Sequence, residues 1–365
     1  MPLQNETLSW LRLIRSEGVG PMMFDKLIGE FGDADNALAA MHTLRHRGKQ
    51  LVSANEKDIE REYQALAKIG GQFILKTDQA YGDALRHISD APPVLSALGD
   101  VSLMQKPMLA IIGSRNASVN GRRLAANLAR DLGQAGFVIV SGLARGIDAA
   151  AHEATLETGT IGVLANGVDV VYPPENKKLY DAIAERGLLL SENAFGLEPS
   201  PQLFPRRNRI VSGLCQGVII IEAAEKSGSL ITARCALDQG REVFAVPGNP
   251  LDPRASGPNA LIKRGHAQLI ESAEDVLNAF SLFPSRHVET ALSALDEVRD
   301  EPAMPSHTDD QARHAVMGCL SPTPCMIDDV VAATKISVQR VLSILMEMEL
   351  TGQVQRLSGN RVSRI

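Results

Sequence analysis

The chain has 365 residues, enough for two or three domains and at least one large core. Its apolar content of 44% is ordinary for a soluble globular protein, no run approaches the roughly 20 apolar residues of a membrane-spanning helix, and the N-terminus lacks the basic-then-apolar layout of a signal peptide, so a cytoplasmic protein without membrane attachment is expected. A formal net charge of −6 excludes a surface coated in positive charge; it does not exclude a local basic groove, which a total does not report.

Residues 1–70 read as helices only, a small helical domain resembling a SAM or helix-hairpin-helix unit. Trp10, Leu11, Leu13 and Ile14 open an amphipathic stretch, and Met23, Phe24, Leu27 and Ile28 continue it at helical spacing. Gly18-Val19-Gly20-Pro21 lies between them. Glycines at alternate positions allow a tight turn, and proline suits the first helical turn. The turn reads either as a hairpin presenting backbone N–H groups to a DNA phosphate or as a plain structural connection, since it holds no Lys or Arg.

From residue 71 to 283 the pattern changes. Short apolar runs recur at Leu109–Ile112, Phe137–Val140, Thr160–Leu164, Leu188–Leu190, Val218–Ile221 and Val243–Val246. Ala-rich helical stretches such as Leu124–Leu132 and Ile231–Leu237 separate them. Continuous apolar strands alternating with helices predict an α/β domain: a doubly wound, mostly parallel, Rossmann-like sheet covered on both faces. Residues 284–307 mix Pro, Ser and charge and read as a linker. Residues 308–365 read as a winged helix: helices over 312–320, 327–333 and 337–350, the last with Val341, Leu342, Leu345 and Leu350 on its apolar side, then a β-hairpin wing over 354–364. No internal repeat is evident.

The four cysteines, Cys215, Cys235, Cys319 and Cys325, form no C-x-x-C pair and have no histidine at zinc-finger spacing. They read as buried or scattered thiols, and neither a metal nor a cofactor is expected.

In a parallel sheet the loops leaving the C-terminal strand ends share one edge, where ligands bind. Pooling the residues after each expected strand collects Gly113, Ser114 and Arg115; Ser141 to Asp148 with Arg145; Asn166-Gly167; Arg206, Arg207, Asn208 and Arg209; Glu222, Lys226, Ser227, Gly228 and Ser229; and Pro247-Gly248-Asn249. Glycine lets the backbone approach an anion, serine and helix N-termini donate hydrogen bonds, and arginine adds a forked, permanently charged donor. Arg115, Arg145, Arg207, Arg209 and Lys226 are therefore expected to face one pocket, a polyanion site in an acidic protein.

The details argue against a nicotinamide enzyme. The first loop, Gly113-Ser114-Arg115-Asn116-Ala117-Ser118, is not G-x-G-x-x-G, and the second strand ends in Ser141-Gly142 with no acid. No P-loop and no Ser/His/Asp or Cys/His set presents itself, so no catalytic residue is assigned. Asp148 and His152 share a helix face and read as capping and core residues.

Six runs taken together resemble the DNA-processing protein A (DprA/Smf) family: Ile111–Arg115, Ser141–Asp148, Tyr172–Asn176, Phe204–Ile210, Ser227–Ala233 and Phe244–Gly248. The likeness is dense over residues 71–280. It departs at Asn166-Gly167, where a second glycine or small residue is expected before Gly167. The resemblance implies a homodimeric single-stranded-DNA-binding protein, not an enzyme, that protects incoming DNA in natural transformation and helps to load the RecA recombinase. Matched residue by residue, it carries DNA contact to Ser114, Arg115, Arg145, Arg207, Asn208, Arg209, Ser227, Gly228 and Ser229, with Lys226 at the basic position before the turn.

Aromatic residues make up only 4% of the chain, so extensive base stacking is not expected; Phe204 is the best stacking candidate, and a core role for it stands equally. In the winged helix, Gln339 and Arg340 are followed by Glu347 and Glu349, so sequence-specific duplex reading is not expected, and a protein contact or a weak duplex contact stand equally. Two rival functions remain. One is a nucleotide-binding Rossmann-like enzyme resembling nucleoside monophosphate phosphoribohydrolases, although Glu222–Leu230 lacks their glycine pair and placed acid. The other is an adaptor that senses a small nucleotide.

Overall fold

A computed structural model describes residues 4–46, 49–281, 309–357 and 360–365. The expected linker over 284–307 lies outside the described residues.

The N-terminal unit holds α1 (Gln4–Ile14), α2 (Pro21–Phe31), α3 (Ala34–Ala40) and α4 (Glu56–Lys68). It is not helical throughout. Strands β1 (Arg45–His46) and β2 (Lys49–Gln50) pair antiparallel before α4, and Glu17 bridges Val52. A two-residue ladder is too short to leave an alternating apolar pattern, so periodicity does not reveal it. Gly18 turns the chain with a φ of +80°, and Gly20 O accepts from Phe24 N at 2.8 Å to start α2.

The central unit runs β3 (Gln72–Leu75), α5 (Asp83–Arg86), β4 (Val94–Gly99), β5 (Met108–Ile112), α6 (Val119–Gln134), β6 (Val138–Ser141), α7 (Ile147–Glu153), β7 (Thr160–Val163), α8 (Lys177–Arg186), β8 (Leu188–Ser191), α9 (Leu203–Leu214), β9 (Gly217–Ile220), α10 (Ser229–Asp238), β10 (Glu242–Ala245), α11 (Ser256–Lys263), β11 (Gln268–Leu269) and α12 (Ala273–Ser281). Nine strands form one sheet in the order β11-β10-β9-β5-β6-β7-β8-β4-β3. From β11 to β8 all neighbours are parallel; β4 runs antiparallel to both β8 and β3.

Alternation along each strand divides the core. Ala110, Ile112, Val138, Val140 and Ile220 point to one face, beneath Ile210, Val211 and Leu214 of α9 and Ala233 and Ala236 of α10. Leu109, Ile111, Ile139, Ile219 and Phe244 point to the other, beneath Ala125, Leu128 and Leu132 of α6 and Val276 of α12. Every residue of β5 is buried, as a parallel strand covered on both faces requires. A third cluster joins Leu189 and Ile183 to Phe73 and Leu75 and to Trp10, Phe24 and Leu66, which docks the N-terminal unit on the sheet. The Arg15–Glu62 ion pair at 2.8 Å adds a polar tie, with Arg15 Nη1 also donating to Glu192 O at 3.0 Å.

The C-terminal unit holds α13 (Asp309–Cys319), β12 (Cys325–Met326), α14 (Ile327–Thr334), α15 (Val338–Leu350), β13 (Val354–Leu357) and β14 (Arg361–Arg364), with sheet order β12-β14-β13. This is a winged helix. In α15 the buried face is Val341, Ile344, Leu345 and Met348; Leu350, expected on that side, is 81% exposed. Leu350 lies two residues past Met348, about 200° round the helix, so it cannot share that face.

The unit docks on the rim of the central sheet. Arg254, held by Asp252 at 3.0 Å, donates to Gly318 O at 3.1 Å and Leu320 O at 2.6 Å. Asn120 Nδ2 donates to Thr323 O at 3.2 Å, and Val119 joins the winged-helix core.

Candidate nucleic-acid interface

From β5 the chain winds through β6, β7 and β8 to one side, then crosses to β9 on the other side of β5. This reversal opens a crevice at the C-terminal ends of β5 and β9, the place where open α/β sheets bind ligands. The loops meeting there carry Gly113–Ser118, Ser141–Gly146 and Glu222–Gly228.

These loops are tied together. Ser229 Oγ donates to Gly113 O at 2.8 Å, and Ile147 N donates to Ser114 O at 3.3 Å. Gly146 has a φ of +81°, and a Cβ there would stand 2.3 Å from Ser114 O, so only glycine lets the second loop close over the first. Ser227 Oγ accepts from Ser229 N at 3.3 Å, and Asn208 Nδ2 donates to Gly228 O at 3.3 Å, which fixes the turn that starts α10.

Arg207 is the centre of the arrangement. It is 6% exposed, donates to Gly142 O at 2.8 Å, to Val163 O and to Asn208 Oδ1, and still reaches a small cavity. Burial pulls its pKa down to about 10 against the opposing charge of Asp148, so it stays protonated at neutral pH. Asp148 is buried and accepts from Gly142 N at 3.1 Å and Ala144 N at 3.3 Å, which pins the loop that carries Arg145.

The cavity has a volume of about 30 Å³, room for one water-sized group, and is lined by Arg115, Arg145 and Arg207 together with Gly142, Asn166, Tyr172 and Phe204. The Arg115 guanidinium lies 5.1 Å above the Phe204 ring, and Phe204 tilts against Tyr172 at 5.6 Å. Arg145 pairs with Glu175 at 3.6 Å, both more than half exposed, an arrangement of little energetic weight that a stronger anion can replace. Three guanidinium groups distant in sequence thus converge on one rim.

The remaining expected residues lie elsewhere. Arg209 does not share the cavity with Arg207. It pairs with Asp90 at 3.3 Å and with Glu192, and donates to Asp90 O at 2.6 Å. Two residues apart on α9 means about 200° of rotation, so one arginine turns inward to the loops and the other away from them. Lys226 is exposed and lines, with Ser227, a separate groove between α10 and α11. Gly113, Ser114, Ser227, Gly228 and Ser229 stand at the crevice through the contacts above.

Several contributors were not assigned from sequence. Asn176 Nδ2 donates to Leu143 O at 2.9 Å and holds Leu143 at a φ of +54°. Tyr172 supports Phe204. Both belong to the Tyr172–Asn176 run, so the motif was the available signal. His152 is separate from the site: Thr160 Oγ1 donates to Ile139 O at 3.0 Å and so accepts from His152 Nδ1 at 2.7 Å.

The DNA recombination-mediator protein A family model matches residues 72–281. This chain belongs to that family. The DprA-like N-terminal HHH domain matches residues 4–65 and the DprA winged helix domain residues 300–360. The chain is 43% identical over 248 residues to the DNA processing protein DprA of Bacillus subtilis, covering 65% of this chain and 82% of that one. It is 31% identical over 396 residues to Protein Smf of Synechocystis, covering 99% of both. Among solved structures it resembles DNA processing protein A of Streptococcus pneumoniae, with a TM-score of 0.64 and 33% identity over 76% of this chain and 98% of that one. It also resembles the Helicobacter pylori protein, described for its single-stranded DNA binding mode, with a TM-score of 0.53 and 34% identity over 58% of this chain and 96% of that one.

Proposed function

We propose that this chain binds single-stranded DNA along the C-terminal edge of the sheet, across the β5/β9 crevice and the adjoining arginine cavity at the ends of β5, β6 and β7, and acts as a recombination mediator. In this reading Arg115, Arg145 and Arg207 receive backbone phosphates at the cavity rim, the Ser114 hydroxyl and the Gly228 N–H supply further donors, and Ser227 and Ser229 hold the turn in place through their own bonds. A cavity this small takes a phosphate oxygen or part of a side group, not a whole nucleotide, so the strand runs across the rim. Binding led by phosphates is tolerant of sequence and steeply weakened by salt. A homodimer would set two such sites on one strand and gain avidity. The roles proposed for a protein that holds the strand in this way are protection of incoming DNA in natural transformation and loading of RecA.

The observation that carries the proposal is the convergence of Arg115, Arg145 and Arg207, contributed by three separate segments, on one cavity. Arg115→Ala should weaken binding to all single-stranded sequences alike and reduce the slope of log affinity against log salt by about 0.7 to 1. Fluorescence anisotropy at several salt concentrations measures both, and an unchanged titration refutes the assignment. RecA loading is tested separately, by the rate of RecA filament assembly on oligonucleotides with and without this protein.

The enzyme reading fares less well. Glu222, its candidate acid, accepts from Ser118 N at 2.9 Å and Ser118 Oγ at 2.5 Å, so both its oxygens are engaged at the start of α6. Base release from nucleoside monophosphates that depends on Glu222 would favour the enzyme.

A further inference from the structure

Helix α6 leaves the crevice directly: its N-cap, Ser118, stands four residues after Ser114 and accepts from Gly121 N at 2.9 Å. At 100° per residue, Arg123, Asn127, Arg130 and Gln134 fall within an arc of about 60° and span roughly 16 Å of helix. All four are exposed. Arg130 Nη1 donates to Asn127 Oδ1 at 3.1 Å, which aligns the row, and among the described residues neither Arg123 nor Arg130 has a carboxylate within ion-pair distance. The acid within α6, Asp131, stands beside the far end.

One flank of this row is walled. Val119 packs into the winged-helix core and Arg122 Nη2 reaches Cys319 Sγ at 3.4 Å. A row of guanidinium and carboxamide groups therefore starts beside the crevice and follows the foot of the winged helix. An amphipathic helix needs no such composition on its solvent face; mixed charge is the usual solution.

We infer that the single-stranded DNA track continues from the crevice along α6, with Arg123 and Arg130 receiving backbone phosphates, Asn127 and Gln134 contacting sugars or base edges, and the winged-helix domain serving as a side wall. This rests on the crevice being the primary site, and the test separates the two.

Deoxythymidine oligomers of about 6 and about 20 nucleotides are titrated against the full chain and its variants. The short one occupies the crevice alone; the long one also reaches α6. Arg123→Ala/Arg130→Ala should bind the short oligomer like the parent and the long one about 5- to 10-fold more weakly at low salt, with the salt slope reduced by about 1.4 to 2. Asp131→Asn should strengthen only long-oligomer binding. Arg61→Ala, on α4, removes a charge elsewhere and should leave both unchanged. Equal losses on both lengths, no loss on the long oligomer, or a matching loss in Arg61→Ala would overturn the α6 track. If Arg115→Ala leaves short-oligomer binding intact, the crevice reading fails, and the track falls with it for want of a starting point. All the substituted residues are solvent-facing, and circular dichroism verifies their fold.

Discussion

The guanidinium of Arg207 lies directly against the backbone of Gly142: a Cβ at residue 142 would stand 2.4 Å from Nη2 and 2.5 Å from Cζ. One loop thus accepts a hydrogen bond from the cation and leaves space for it.

Gly142→Ala should expel Arg207 from this position. Arg207 is buried and bonded to Gly142 O and Val163 O, so the cost is expected at about 2 kcal/mol, typical of overpacking. Affinity for single-stranded DNA should fall with it, by about tenfold for loss of one desolvated charge contact. Urea unfolding and anisotropy titration measure the two effects; a variant with parental stability and affinity would show that the contact has no consequence.

Arg209 makes the opposite case. Arg209→Ala leaves Glu192, raised above the usual carboxylate range by burial, without the guanidinium that opposes that shift. Removing one partner of a pair this buried costs about 3 kcal/mol. Binding by the folded protein should remain within about twofold of the parent, because Arg209 faces Asp90 and Glu192 rather than the cavity. A large affinity loss at unchanged thermal stability would return Arg209 to the binding surface.

Burial lowers the pKa of His152 from 6.5 to about 3. The unfolded chain therefore takes up a proton at this residue between those values while the folded chain does not. The contribution is complete above pH 6.5 and is lost as pH falls toward 3, at up to about 1.4 kcal/mol per pH unit. His152→Asn should be less stable at neutral pH yet show a shallower decline between pH 6.5 and pH 4. Denaturant midpoints across that range test it, and parallel curves for parent and variant would exclude His152 as the source.

Arg254 joins the winged helix to the sheet through Gly318 O and Leu320 O. Arg254→Ala should loosen that seat, costing about 1–2 kcal/mol of docking for two charge-assisted bonds. Amide hydrogen exchange over residues 318–323 should quicken, while exchange in β5 and β6 stays as it was. No change at 318–323 would mean that the α6 contacts of Val119, Asn120 and Arg122 hold the domain without Arg254.

Much of the fold was legible because burial writes itself into composition. Six expected strands coincide with β5, β6, β7, β8, β9 and β10 to within a residue or so at each end, since a strand covered on both faces must be continuously apolar. Strands β3, β4 and β11 lie outside the six expected runs. The first two sit among turns rich in Gly and Pro, and β11 is two residues long with both side chains exposed, so it carries no apolar signature. The antiparallel ladder β1–β2 escaped for the same reason.

The site was legible as a set of loops but not as a geometry. Chain order, strand periodicity and the strand-end motifs determined that Gly113–Arg115, Arg145, Arg207 and Ser227–Ser229 would gather at one sheet edge, because parallel topology leaves such loops no other place. Tertiary structure alone decided which cations are available there. Arg207 and Arg209 are near neighbours in sequence, yet helix rotation and the positions of Asp90 and Glu192, supplied by distant segments, turn one toward the cavity and bind the other into ion pairs. A side chain's direction depends on what packs around it in three dimensions, and one-dimensional spacing does not contain that information.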